Sequence, residues 1–244
     1  RGGGRFSARV TAGYVMAGAI AKKLLARTLG IEVLAYSLEI GGIRSRALTH
    51  GEIRESRYSN EVRCPDRVAA NKMKKRTLDE RRNGDSVGGI VECITLNAPV
   101  GMGEPVFGSL EGEIGKAIFS IPAVKGIEFG SGFACARLKG SENNDGLRIG
   151  ADGITFGSNN SGGILGGISN SMPIVFRTVF KPVSSIPKPQ KTVNLVKMEE
   201  SEVTVTGRHD SCVVPRAVPI VENMMATVLA DHALRAGMIS PVLK

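Results

Sequence analysis

Residues 158–171 read SNNSGGILGGISNS and run directly into MPIVFRTVFKPVSS (172–185). The first stretch holds four glycines and no charge. Glycine takes positive φ without steric cost and lets two backbones, or a backbone and a ligand, approach closely. Ile164, Leu165 and Ile168 set the run apart from a flexible Gly/Ser linker, which would carry no such apolar residues. The second stretch is rich in Val, Ile, Phe and Thr over 172–180, so it reads as a buried strand. A packed glycine loop feeding a strand is expected to form a wall for a flat or phosphorylated ligand.

Working outward, the periodic segments alternate between helical and extended patterns. Residues 11–29 read as a helix, with Thr11 as cap and Gly30 as stop. IEVLAYSLEIGGI (31–43) reads as a strand. Pro65-Asp66 opens a helix that runs to about Arg82 and ends at Asn83-Gly84. Residues 86–97 read as a strand with an early glycine kink, and 108–119 as a short helix. Residues 124–138 suggest one or two strands, and 203–206 add a further strand signal. SIPKPQK (185–191) is a loop. Pro215 starts a last helix with Val218, Val221, Met225 and Val228 on one face, ending at Gly237. The mixture predicts an α+β or layered α/β fold.

Composition narrows the function classes. The chain has 244 residues, is 42% hydrophobic and carries a net charge of +9, so it can bury a large core and attract anions. Its densest basic run, KMKKR (72–76) with Arg81 and Arg82, sits beside Asp79 and Glu80. That pattern favours a solvated helix face over a nucleic-acid stripe, and aromatics for stacking are scarce at 5%. The other arginines lie beside glycines and serines, which suits small anionic ligands. Cys64, Cys93, Cys135 and Cys212 are widely spaced with no CxxC pair, so no metal site is expected and the thiols read as reduced and mostly buried. No apolar run nears the roughly 20 residues a membrane helix needs.

Four strings can carry chemistry. In GGGRFSAR (2–9), backbone amides, Ser7 and two arginines can gather around an anion, or form a basic loop before a helix. NGDSVGG (83–89) reads as a helix stop and turn. The glycine run with KPVSS (181–185) is the third string. In GRHDSCVVPRAVP (207–219), Arg208 can bind phosphate or carboxylate and Asp210 can act as a base or orient one. Equally, Asp210 can cap the loop while His209 packs, and the triplet alone leaves both readings open. His232 falls on an apolar helical stripe and reads as a core or interface residue. His50 has no partner in sight. There is no GxSxG, P-loop, HExxH or strand-bound GxGxxG.

Taken together, these strings resemble the chorismate synthase family. The resemblance also includes AGAIAKK (17–23), GMGEPVF (101–107), IPAVKGIEFGSGF (121–133) and SGGILGGISN (161–170), in order, across essentially all of 1–244. It implies a layered β-α-β sandwich, an α+β fold, assembled as a homotetramer in the cytoplasm. It implies the conversion of 5-enolpyruvylshikimate 3-phosphate to chorismate and phosphate by a 1,4-anti elimination. That reaction needs reduced FMN without net redox change, the flavin being reduced through NADP-linked chemistry, either intrinsically or by an external flavin reductase. No nucleic acid, membrane or metal is implied.

Residue by residue, the resemblance implies flavin contacts at Arg5, Phe6, Ser7, Pro122, Ala123, Gly166, Lys181, Pro182, Val183, Ser184, Ser185 and Arg208. The substrate's phosphate and carboxylates would meet Ser7, Arg9 and Arg208, and Asp210 would help move a proton. Phe6, Val10 and Ser211 stand where the family usually has Ser, Glu and Pro. By motif order, the family's first third, with two catalytic histidines and several arginines, has no counterpart here, and His50 and His232 match neither histidine. The alternative is a flavin-binding or oligomerisation module without catalysis.

Overall fold

The computed structural model describes residues 4–150, 153–207 and 209–240. After two short 3-10 turns, α1 (Thr11–Leu29) leads to β1 (Glu32–Ile40), β2 (Ile43–Arg44), α2 (His50–Ser56) and α3 (Arg67–Arg82). Then come β3 (Gly89–Leu96), α4 (Leu110–Phe119), β4 (Val124–Phe129) and the short α5 (Gly140–Asn143). Three hairpin strand pairs interleave with a core strand: β5 (Leu147–Gly150), β6 (Gly153–Phe156), β7 (Ile164–Leu165), β8 (Ile168–Ser169), β9 (Ile174–Phe180), β10 (Gln190–Asn194) and β11 (Glu199–Val203). The chain closes on α6 (Val214–Arg235).

Local chemistry explains most boundaries. Gly30 ends α1 in the left-handed region at φ 68° and returns its N–H to the Leu25 carbonyl. Asp66 caps α3 by accepting from the Val68 and Ala69 N–H groups. Thr11, expected as the cap of α1, instead lies inside it and donates its hydroxyl to the Ala8 carbonyl at 2.6 Å. The preceding 3-10 turn already feeds the helix, so no side-chain cap is needed there.

Five strands form one antiparallel sheet in the order β2-β1-β3-β9-β4. Ala35, Cys93 and Phe176 stand in register across its centre. Their face carries the main core with Val33, Val91, Ile174 and Phe180, covered by α1, α4 and α6. Alternate residues Leu34, Tyr36, Leu38 and Ile94 form a smaller cluster on the other face with Ile53 of α2. This is the period-2 alternation of a strand covered on both sides. Each fully buried Leu or Phe contributes about 1.5–3 kcal/mol, and Leu25, Phe176 and Leu229 are all fully buried. The fold is α+β, and among the described residues the remaining strands pair as three separate hairpins.

α1 and α6 cross at Gly18. A Cβ there would sit 2.3 Å from the Asn223 Cβ and 2.4 Å from its carbonyl oxygen, so only glycine permits this approach. One further expectation narrows and another changes. Residues 124–138 hold one strand, because Gly130 and Gly132 turn the chain at φ 54° and 55° into an exposed 3-10 segment. Of the strand signal at 203–206 only Val203 is extended, as the last residue of β11, the second strand of an exposed hairpin that begins at Gln190, and 204–206 follow as irregular chain. α2 went unread although Thr49 and Glu52 form a reciprocal capping box at its start. No helix among the described residues is long and apolar enough to cross a membrane.

The glycine run turns out to pack mainly against its own chain. A Cβ on Gly162 would lie 2.4 Å from the Gly130 nitrogen, and one on Gly163 would lie 2.5 Å from the Pro173 carbonyl. Asp145 holds the run's entry: it accepts from the Ser158 hydroxyl at 2.6 Å and from the Asn160 and Ser161 N–H groups at 2.7 and 2.8 Å. Burial works to raise the Asp145 carboxyl, but these donors outweigh it and hold the group below its ordinary value. A depressed carboxyl stabilises the fold above its unfolded pKa, and that stabilisation is lost as pH falls through the lower folded value. Asp145→Ala is therefore expected to cost about 1–2 kcal/mol at neutral pH. Amide exchange at Asn160 and Ser161 should quicken, and the difference from wild type should shrink below about pH 4. A pH-independent difference would count against the carboxylate as the anchor.

Candidate functional site

A cleft of about 1070 Å³ opens where segments distant in sequence meet. Ser7 and Arg9 enter from the turns before α1, and Arg81, Gly84 and Asp85 from the end of α3. Ile121, Pro122 and Ala123, between α4 and β4, form one wall with Phe180 at the end of β9. Ile186 and Pro187 follow from the loop after β9. His209, Asp210, Ser211 and Val213 precede α6, whose first turns add Arg216 and Ile220.

The wall at 121–123 is held by its backbone. Ala123 sits at φ 73°, unusual for a residue with a Cβ, and such strain persists where surrounding structure fixes it. Here Lys181 donates its N–H to the Ala123 carbonyl at 3.0 Å. The same 181–188 segment is fixed from the NGDSVGG turn. Ser86 donates its hydroxyl to the Val183 carbonyl at 2.7 Å, and Lys188 pairs with Asp85 at 3.0 Å. The Ser86 N–H and then Lys188 hold the Asp85 carboxyl below its ordinary value.

The opposite side carries the titratable groups. Asp210 pairs with Arg216 at 2.9 Å. His209 Nε2 lies 3.2 Å from the Val205 carbonyl. Behind them Cys212 is buried, and burial pushes its thiol up to about 11, so it offers no thiolate next to Asp210. Among the described residues, Arg9 and Arg81 have no carboxylate partner, which leaves two guanidinium groups for an incoming anion. Apolar Ile121, Pro122, Phe180 and Ile220 face the same space. Such a cleft can take a ligand that is flat and apolar on one part and multiply anionic on another.

The expected site residues are only partly gathered here. Ser7, Arg9, Pro122, Ala123 and Asp210 line the cleft together. Lys181, Pro182, Val183, Ser184 and Ser185 do not line the cleft, although Lys181 bonds the Ala123 carbonyl of its wall, and Phe180 and Ile186 on either side of them reach it. Arg5 and Phe6 form the turn before Ser7. Gly166 lies apart, in the β7–β8 turn at φ 61° with open space beside it. Its neighbour Gly167 packs on Ser109. Arg208 lies outside the described residues.

Sequence reading overlooked Arg81, Asp85 and Arg216. Arg216 stood within GRHDSCVVPRAVP, at the helix start that Pro215 marks. Arg81 was hidden in a basic run whose other members do face solvent, with Lys74 on Glu61 at 2.8 Å and Arg76 on Glu80 at 3.0 Å. His232 is a buried residue of α6, and His50 is an exposed residue at the start of α2. Cys64, Cys93 and Cys212 are buried and Cys135 is exposed, all four free.

A family model described as chorismate synthase matches residues 1–234. A chorismate synthase of Dehalococcoides mccartyi (strain ATCC BAA-2100) is 56% identical over 244 residues, covering 100% of this chain and 67% of that protein. One from Korarchaeum cryptofilum is 54% identical, covering 97% of this chain and 65% of that protein. A crystal structure of a chorismate synthase superposes with a TM-score of 0.78 at 31% identity, covering 94% of this chain and 64% of the other. The chain thus spans about two thirds of the length of these relatives.

Proposed function

The chain belongs to the chorismate synthase family, and from that membership we propose that it serves the elimination of phosphate from 5-enolpyruvylshikimate 3-phosphate to give chorismate. The supporting observation is the meeting of Ser7, Arg9, Pro122, Ala123 and Asp210, drawn from three separate segments, in one cleft. The 1,4-anti elimination breaks a ring C–H bond and a C–O bond to phosphate while the diene forms. Phosphate leaves with its bonding pair, and a base must take the proton.

The cleft fits reduced FMN with substrate. Its volume is at the upper end of ligand pockets, and it sets apolar walls against cationic groups. Pro122 and Ala123 would lie along the flavin with Arg5, Phe6 and Ser7, backed by the 181–185 segment. When bound, reduced FMN supplies transient electron density to a reaction with no net redox change. Ser7 and Arg9, with Arg208, would hold the substrate's phosphate and carboxylates by charge-assisted hydrogen bonds. Arg81 adds a cation to the same side, favouring the departing phosphate as its charge grows. Asp210 would take up and return the proton through its carboxylate. The homotetramer, the cytoplasmic setting and flavin reduction, either intrinsic or by an external flavin reductase, accompany this reading as what the family implies.

The test is turnover by the full-length protein under anaerobic conditions. Chorismate and phosphate should appear in equal amounts with reduced FMN and stop when flavin is removed. Turnover persisting after rigorous flavin removal would sink the proposal. Flavin binding without product would mark a non-catalytic binder instead.

A further inference from the structure

We infer that Arg216 is the positioning residue for Asp210, its guanidinium fixing the carboxylate against the cleft. The inference deepens the proposed function and rests on it for its catalytic half. Asp210 lies in the irregular stretch between β11 and α6, only half-buried. Arg216 lies in the first turn of α6, whose Val214, Ala217 and Val218 are buried in the core. A residue on the most firmly held helix therefore grips one on a loop, at 2.9 Å. The rest of this stretch is held through other residues: His209 reaches the Val205 carbonyl, Cys212 the Val214 backbone, and the Val87 N–H donates to the Ser211 carbonyl at 2.8 Å, so Arg216 is the partner shown for the Asp210 carboxylate itself among the described residues.

Other roles for Arg216 fit less well. Its side chain is 73% exposed, so it does not pack the core, and an ion pair this open contributes little to stability. A cation in the first turn also opposes the helix dipole, so α6 gains nothing from it. Arg9 and Arg81 are unpaired among the described residues and remain for anions, whereas Arg216 is engaged with a carboxylate. The contact is a single one, Arg216 Nη1 to Asp210 Oδ2, so it holds one carboxylate oxygen and leaves Oδ1 for the cleft.

The experiment compares wild type with Arg216→Gln, Arg216→Lys and, as a control outside the cleft, Arg235→Gln. Amide exchange across 209–213 should quicken in Arg216→Gln while the α6 interior is unchanged and the thermal midpoint moves by less than about 2 °C. This arm is read whether or not the protein turns over, so failure of the proposed function does not obscure it. In turnover with reduced FMN, kcat should fall about 10–100-fold with KM nearly constant, since a small misplacement costs that much. Arg216→Lys should recover part of the loss, and Arg235→Gln none is needed, its kcat staying at the wild-type value. Unchanged exchange at 209–213 overturns the inference. So does a rise in substrate KM at constant kcat, which would make Arg216 an anion-binding residue.

Discussion

Asp210→Asn is expected to lower kcat by about 10²–10⁴-fold, the range that general acid–base groups contribute, while reduced-FMN affinity changes by less than about threefold. Asparagine keeps the size of the side chain and loses its basicity, so the cleft's shape survives. The reasoning starts from the other groups present. Asp85, the cleft's second carboxylate, is engaged by the Ser86 N–H at 2.8 Å and by Lys188 at 3.0 Å. Cys212 is buried and its thiol is pushed up. His209 is turned to the Val205 carbonyl. Asp210, held by the exposed Arg216 alone among the described residues, is the group left to exchange a proton with a ligand. Chorismate formation and anaerobic flavin titration on the same preparation separate the two effects. Arg208→Ala, by contrast, should damage both. Equal loss of flavin binding and turnover in Asp210→Asn would remove the residue from the chemistry.

The largest expected effect on stability is that of Glu222→Ala. Glu222 is an acidic residue only 1% exposed on α6. Lys22 of α1 pairs with Oε1, and Arg57 approaches Oε2 at 3.4 Å. Oε2 also accepts from the Ala35 N–H at 3.1 Å and the Tyr58 hydroxyl at 3.4 Å. The need arises at the sheet edge. β2 pairs only with Glu39 and Ile40, so β1 presents unpaired edge groups before them. Ser37 N–H finds the Arg63 carbonyl at 2.9 Å, and Ala35 N–H finds Glu222. Removing one partner of a buried pair typically costs about 3–5 kcal/mol. Lys22 and Arg57 retain 30% and 15% side-chain exposure and can turn partly to water, which favours the lower end. For a chain of this size, about 3 kcal/mol lowers the melting midpoint by roughly 6–12 °C. Glu222→Gln should lose less, because an amide oxygen still serves Ala35. A melting midpoint unchanged in Glu222→Ala would show that the cluster adds nothing net.

The helices and core strands were legible because their signals are local. Gly30 and Asp66 mark helix ends through positive φ and capping, which need no tertiary partner. Val218, Val221 and Met225 recur at helical spacing, and all are buried. The β5–β6 and β10–β11 hairpins were less legible because they are largely exposed: β5 and β11 are exposed throughout, so no alternation marks them. The site was legible in part. Ser7, Arg9 and Asp210 stood in glycine- and arginine-rich strings, whereas Arg81 looked like any solvated helix residue.

The sequence by itself determined the elements of the α+β fold, the family, and which short strings matter, since each of these is written in neighbouring residues. Only the tertiary structure decided what those strings touch. It turned Gly162 and Gly163 from a ligand wall into close backbone contacts with Gly130 and Pro173. It brought Arg81 and Arg216 to the cleft, and it gave Asp210 a partner on the rigid start of α6. The physical reason is that a glycine's freedom and an arginine's charge are properties of single residues. What a glycine allows to approach, and which carboxylate a guanidinium meets, depends on how the folded chain sets other segments beside it over a shared core.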